Sequence, residues 1–183
     1  TLTLGADTPE AMASAARSID PHAPIKVKLT GDVDDDIARL RAIRAARPEA
    51  WIGVDANQGY NLATLAELMP VLTETRITQL EQPLARGREA DLDRLKRPLP
   101  FVADESAVTL ADTARLVGRF DMVNIKLDKC GGLTEGLAIA RAARVLGLEV
   151  MVGNMMGSSL SMAPSFLLGQ LCDIVDLDGP TFL

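Results

Sequence analysis

Short apolar runs alternate along the chain with longer stretches in which apolar residues recur every three or four positions. The short runs predict strands at 2–4, 25–29, 51–56, 77–81, 101–104, 122–127, 149–153 and 174–177. The longer stretches predict helices at 9–19, 34–46, 62–75, 91–96, 110–120, 133–146 and 159–171. Helix-start signals support several of these: Thr8-Pro9-Glu10, Asn61 before Leu62, and Thr109 with Asp112 three positions on. One helix between each pair of short strands implies parallel strands joined by right-handed crossovers. Eight strands and about seven helices predict an α/β fold, a (β/α)8 TIM-type barrel without its last helix, as one domain over 1–183. The competing pattern is an open doubly wound sheet, for which eight strands in so short a chain are many. A complete barrel takes ~250 residues, so flanking sequence is expected beyond this trimmed one.

Apolar residues make up 48% of the chain, enough to bury a core, and aromatics only 3%, so that core is built from Ala, Leu, Val, Ile and Met. A net charge of −6 argues against a nucleic-acid partner, which would need a basic stripe. No apolar run approaches the ~20 residues that cross a bilayer, so no membrane partner is expected. The start, TLTLGADTPE, lacks the basic and apolar regions of a signal peptide, and Cys130 and Cys172 show no disulfide-framework spacing. A cytoplasmic location follows as the expectation.

Catalytic groups of such barrels sit at the C-terminal ends of the strands. Three consecutive predicted strands end on an acid: Asp55 in Val54-Asp55-Ala56-Asn57, Glu81 in Leu80-Glu81-Gln82-Pro83, and Asp104 in Val102-Ala103-Asp104-Glu105-Ser106. Three converging carboxylates repel one another unless a cation sits among them. Oxygen ligands without Cys or His favour Mg²⁺, with Mn²⁺ as a substitute. Taken singly, each acid is as easily a helix cap or a surface ion-pair partner. Ile25-Lys26-Val27-Lys28-Leu29 alternates strictly, so Lys26 and Lys28 share the inner face. Asn124 and Lys126 share it on the sixth strand, which lies opposite the second in a ring of eight. An amine on each side of a metal-held carboxylate suits removal and return of an α-proton. The divalent cation stabilises the enediolate's charge, and Lys26 presses Lys28 towards its neutral, basic form. Snorkelling to solvent is the bland alternative for Lys28 and Lys126.

These residues resemble the enolase superfamily, and within it the muconate-lactonising-enzyme-like subgroup, from about Ile25 to the C-terminus. The resemblance is carried by Lys26-Val27-Lys28, Asp55-Ala56-Asn57, Glu81-Gln82-Pro83, Asp104-Glu105-Ser106, and Asn124-Ile125-Lys126 leading to Gly131-Gly132. It implies Asp55, Glu81 and Asp104 as Mg²⁺ ligands and Lys28 and Lys126 as the acid/base pair. Lys26 would tune Lys28 and position the substrate carboxylate, while Asn57 and Glu105 would orient ligands or a lysine. Asp176-Leu177-Asp178, at the end of the eighth predicted strand, is similar to the Asp-x-Asp with which dipeptide epimerases bind a substrate's α-ammonium group. The alternative is that one of these acids caps a helix. After the seventh strand, Asn154 and Met155 are expected to touch substrate, and Gly157 stands where many relatives carry Glu. That substitution makes the pocket wall less acidic and admits N-acylated or hydrophobic substrates. The family's N-terminal capping domain is absent from this stretch.

The expected function is an Mg-dependent epimerase acting on a dipeptide through a two-lysine mechanism, its partners a small-molecule substrate and other copies in a homo-oligomer. An N-acylamino-acid racemase and a lyase of the o-succinylbenzoate-synthase type are same-family alternatives. A non-catalytic metal-binding barrel is the alternative of another class; in it, Lys126→Ala would leave function untouched. The acidic run at 32–36 is read as the solvated start of a helix, and His22 as a surface residue.

Overall fold

The computed structural model describes all residues, Thr1–Leu183. The strands are β1 (Leu2–Leu4), β2 (Ile25–Lys28), β3 (Ile52–Asp55), β4 (Gln79–Glu81), β5 (Phe101–Ala103), β6 (Met122–Lys126), β7 (Glu149–Gly153) and β8 (Ile174–Val175). They form one sheet in sequence order, and the resolved neighbour pairs are parallel. The α-helices are α1 (Pro9–Ser18), α2 (Val33–Ala46), α3 (Leu62–Glu74), α4 (Leu110–Leu116), α5 (Leu127–Cys130), α6 (Leu133–Val145) and α7 (Ser159–Gly169). Short 3-10 helices occupy Glu89–Arg94 and Gly179–Phe182. The chain divides into two compact units, Thr1–Phe101 and Val102–Leu183, with the boundary inside β5.

In the first unit each helix starts where the sequence supplies a cap. The Thr8 hydroxyl accepts from the Ala11 amide ahead of α1, and Asp32 accepts from the Asp35 amide ahead of α2. Asn61 and Thr64 close a reciprocal capping box on α3. On the strands, Ile25, Val27, Ile52, Val54 and Leu80 are fully buried, each worth roughly 2 kcal/mol removed from water. The lysines of β2 alternate with them and leave from the other face. At the strands' N-terminal end two arginines satisfy the loop carbonyls. Arg44 donates to Thr75, Arg47, Pro48, Ala50 and Arg76, while Arg47 donates to Ala16, Ile19, Asp20, Pro21 and Ala23. A buried loop carbonyl without such a partner would cost about 1–3 kcal/mol.

In the second unit β6 and β7 pair over five positions, from Met122 opposite Glu149 to Lys126 opposite Gly153. Val102, Met122 and Met151 form a buried apolar group with Ile174 against it. The apolar stripe of α6, including Ile139, Ala140 and Ala143, is buried.

Several local features depart from the sequence pattern. The helix expected at 110–120 stops at Leu116, because Gly118 is left-handed (φ 82°) and the Arg119 and Phe120 amides fold back onto the Leu116 carbonyl. The helix expected at 91–96 is the 3-10 turn Glu89–Arg94. β8 is only two residues long, so Asp176 and Asp178 lie beyond the strand instead of ending it. Within the acidic run, Asp36 is not solvated: it is fully buried and accepts from five donors.

Candidate active site

β2, β3 and β4 run in register, with Lys28 opposite Asp55 and Asp55 opposite Glu81. Register partners in a parallel sheet project to the same side, so this row collects an amine and two carboxylates at the strands' C-terminal ends. Lys28 Nζ donates to Asp55 Oδ2 at 2.7 Å and to Asn57 Oδ1 at 2.9 Å. Lys26, one pleat lower, reaches up to bridge Asp55 Oδ2 at 3.2 Å and Glu81 Oε2 at 2.8 Å. The other oxygen of Asp55 accepts the Asn57 amide at 3.0 Å. Asn57 makes this contact from a left-handed backbone (φ 41°), a conformation asparagine tolerates better than most residues. Asp55 and Glu81 are completely buried and Lys26 nearly so, while Lys28 keeps a third of its side chain exposed. Buried acids in such numbers persist because cations neutralise them.

The second unit repeats the arrangement around Asp104, which follows β5. Lys126 Nζ donates to Asp104 Oδ2 at 2.6 Å, and Lys129 Nζ contacts Asp104 Oδ1. Burial opposes the Asp104 carboxylate, yet the Lys129 and Lys126 ammonium groups outweigh it and hold the carboxyl at about 2, below its ordinary 3.8. Asn124 is fully buried one pleat below Lys126. Its amide fills the space above Gly153, where a Cβ would lie 2.6 Å from Asn124 Oδ1. Glu105 is half-buried beside Asp104.

Asp176 and Asp178 are both buried, at 5% and 9% exposure, although neither belongs to a strand. Asp178 occupies the N-cap position of the turn Gly179–Phe182, and its carbonyl, not its carboxylate, accepts from Thr181. Asn154 packs against Gly179, where any Cβ would collide with its amide, so the loop after β7 lies against the Asp176–Asp178 segment. Met155 is half exposed at this rim.

The pattern reading missed Lys129. It lies outside β6, on the unpredicted one-turn helix α5, and its only sequence signal is its position three residues after Lys126, one helical turn on.

Asp55, Glu81 and Asp104 are a group of buried carboxylates able to hold a metal ion. They offer only hard oxygen donors and already draw ammonium groups, which is the donor chemistry a divalent cation of the Mg²⁺ kind requires.

A parallel eight-stranded α/β chain with lysines and carboxylates at its strand ends defines an enolase-type barrel domain. Residues 10–173 match the family described as enolase C-terminal domain-like, and the chain belongs to that family. It is 43% identical over 178 residues to an N-acetyl-D-glutamate racemase of Pseudoalteromonas sp, covering 97% of this chain and 56% of that protein. It is 40% identical over 185 residues to the L-Ala-D/L-Glu epimerase of Escherichia coli K12, covering 100% of this chain and again 56% of the relative. Among solved structures, an enolase family member from Agrobacterium tumefaciens with homology to dipeptide epimerases, holding sodium and L-Ala-L-Glu, matches with a TM-score of 0.91 and 42% identity. That match covers 98% of this chain and 55% of the other. A dipeptide epimerase from Methylococcus capsulatus, complexed with Mg and L-Arg-D-Lys, matches with a TM-score of 0.90 and 34% identity over 99% of this chain and 54% of the other. The chain spans about half the length of the curated relatives it matches. The fold is therefore the truncated (β/α)8 barrel domain that the sequence pattern predicts.

Proposed function

We propose that this chain is the catalytic barrel of an isomerase that epimerises a dipeptide at the carbon next to its carboxylate, with Mg²⁺ held by Asp55, Glu81 and Asp104. The observation that carries this reading is the row Lys28–Asp55–Glu81 with Lys26 beneath it, matched by the Lys126–Asp104 pair on the second unit. When bound, the cation supplies Lewis-acid stabilisation of the negative charge that develops on the substrate carboxylate as the α-proton leaves.

The remaining work falls to the chain's own groups. Lys28 takes the α-proton from one face, and Lys126 returns one to the other. Asn57 aims Lys28, since its Oδ1 stays an acceptor for the amine when Asp55 is engaged elsewhere. Lys26, buried between two acids, supplies fixed positive charge to the substrate carboxylate and is too enclosed to exchange protons freely with water. Asp176 and Asp178 supply the negative end that a dipeptide's α-ammonium group needs. The single domain over 1–183 and the substrate contacts of Asn154 and Met155 belong to the same proposal.

A second reading has one specific observation behind it: the 43% identity to an N-acetyl-D-glutamate racemase. Gly157 favours it too, because glycine leaves no acidic side chain on this part of the wall, where the nearest atom is the Ser161 hydroxyl oxygen. Both readings share the proton-transfer machinery and differ in what meets Asp176 and Asp178.

The deciding experiment is α-carbon deuterium exchange in D₂O with Mg²⁺, over parallel sets of dipeptides and N-acylamino acids. Dipeptides are expected to exchange, and Lys28→Ala and Lys126→Ala to reduce epimerisation at least ~100-fold, the usual scale of a lost acid/base group. Exchange restricted to N-acyl compounds would replace the dipeptide reading with the racemase one. No exchange with either set sinks both.

A further inference from the structure

We infer that Lys129 is a positioning residue that sets the orientation of the Asp104 carboxylate for the metal; this rests on the metal reading above. The two oxygens of Asp104 are divided between two lysines. Lys126 takes Oδ2, and Lys129 takes Oδ1. Lys129 Nζ also faces the Asp104 main-chain carbonyl and, at 3.4 Å, that of Asn124. All three of its protons therefore have acceptors, two of them on the backbone, so the amine is anchored to the frame while it grips one carboxylate oxygen. A lysine that cycles its proton, as Lys126 is proposed to do, cannot also serve as a constant anchor. The structure gives these two tasks to two residues one helical turn apart.

The turn that delivers Lys129 is itself built for the purpose. α5 is a single turn, closed by the Gly131 amide donating to the Leu127 carbonyl at 3.1 Å. Gly131 (φ 87°) and Gly132 (φ 122°) then reverse the chain into α6 through conformations closed to most side chains. The glycine pair thereby fixes where α5 ends, and α5 fixes the reach of Lys129 back to Asp104.

Positioning and simple charge repulsion predict opposite signs. A fixed ammonium beside a ligand repels a divalent cation, so if charge were its whole effect, removing it would tighten metal binding. If Lys129 orients Asp104, removing it loosens binding, on the scale of about 10–100-fold that accompanies loss of a ligand's hydrogen-bonding partner. The test is Mn²⁺ titration followed by electron paramagnetic resonance on the metal-stripped chain, its Lys129→Met variant and its Lys129→Arg variant, with circular dichroism to check folding. Lys129→Met is expected to weaken Mn²⁺ binding at least ~10-fold, and Lys129→Arg to recover most of the loss. Equal or tighter binding in Lys129→Met overturns the inference while leaving the metal site standing. Absence of Mn²⁺ binding in the unaltered chain overturns the metal reading and this inference with it. Should Lys129→Met not fold, Lys129→Gln carries the comparison to the same outcomes.

Discussion

On a single side chain, Asp104, burial and charge act in opposite senses, and charge prevails. Burial favours the protonated acid, while Lys129 and Lys126 favour the carboxylate strongly enough to bring it to about 2 from 3.8. The folded value is the lower one, so the group adds stability that is fully present above the unfolded value. That stability is lost as pH falls through the folded value, between about pH 4 and about pH 2. The shift corresponds to a contribution on the order of 2 kcal/mol near neutrality. Urea unfolding of the metal-free chain and of Asp104→Asn at about pH 5 and about pH 2 measures it. The stability gap between the two proteins is expected to shrink by most of that amount at the acidic end. A gap that does not change with pH would mean the ion pairs contribute nothing through the charge of Asp104.

At the level of elements, the loops after β2 and β3 are locked together by Asp36 in the first turn of α2. Its buried carboxylate accepts from the Thr30 and Gly31 amides, the Thr30 hydroxyl, Arg39 Nη1 at 2.8 Å and Tyr60 Oη at 2.6 Å. Burial and then the bond to Asp36 drive the Tyr60 phenol well above its ordinary range, so it stays a donor at any pH the fold survives. The same loops touch at Gly31 (φ 87°), where a Cβ would lie 2.4 Å from the Gly59 carbonyl oxygen. Tyr60→Phe removes one of five donors to a charged acceptor and is expected to cost about 1–2 kcal/mol in chemical denaturation. Gly31→Ala should cost more, since it combines a left-handed residue with a backbone collision, and should also disturb Asn57 and hence Lys28. If Gly31→Ala were as stable as the unaltered chain, the tight approach of the two loops would be refuted. This lock also marks where sequence pattern loses its grip. Ile25-Lys26-Val27-Lys28 announces β2 and its inward lysines, because strand alternation is a local property. The strand-end acids are legible for the same reason. The burial of Asp36 is not, because its donors include Tyr60, 24 residues away in sequence. Lys129 is hidden similarly: α5 is too short to show a periodicity, and Asp104, which gives that lysine its meaning, lies 25 residues earlier. The premature end of α4 had a visible cause in Gly118, outweighed in the pattern by the apolar Val117 and Phe120 on either side.

For the molecule as a whole, the proposed metal site would link metal binding to folding, because its carboxylates are assembled only in the folded chain. A chain of net charge −6 that buries Asp55, Glu81 and Asp104 pairs lysines with them. The unfolded chain holds no such assembled set, so a Mg²⁺ ion held by these carboxylates, as proposed above, would bind the folded form preferentially and stabilise it by mass action. At a free concentration about a hundredfold above its dissociation constant the gain is about 2.7 kcal/mol. For a chain of this size that is a rise in melting temperature on the order of 5–10 °C. Glu81→Gln removes one ligand charge from the set and leaves Lys26 facing an amide, so its melting temperature in chelator should fall, and most of the Mg²⁺ increment should vanish. Sodium at matched ionic strength separates this from screening, which acts on exposed charges over a Debye length and not on a buried cluster. Thermal unfolding followed by circular dichroism, in chelator, Mg²⁺ and sodium, reads all three effects. A Mg²⁺ increment of equal size in Glu81→Gln would place the ion elsewhere on the molecule, and no increment in the unaltered chain would remove the metal from the account altogether.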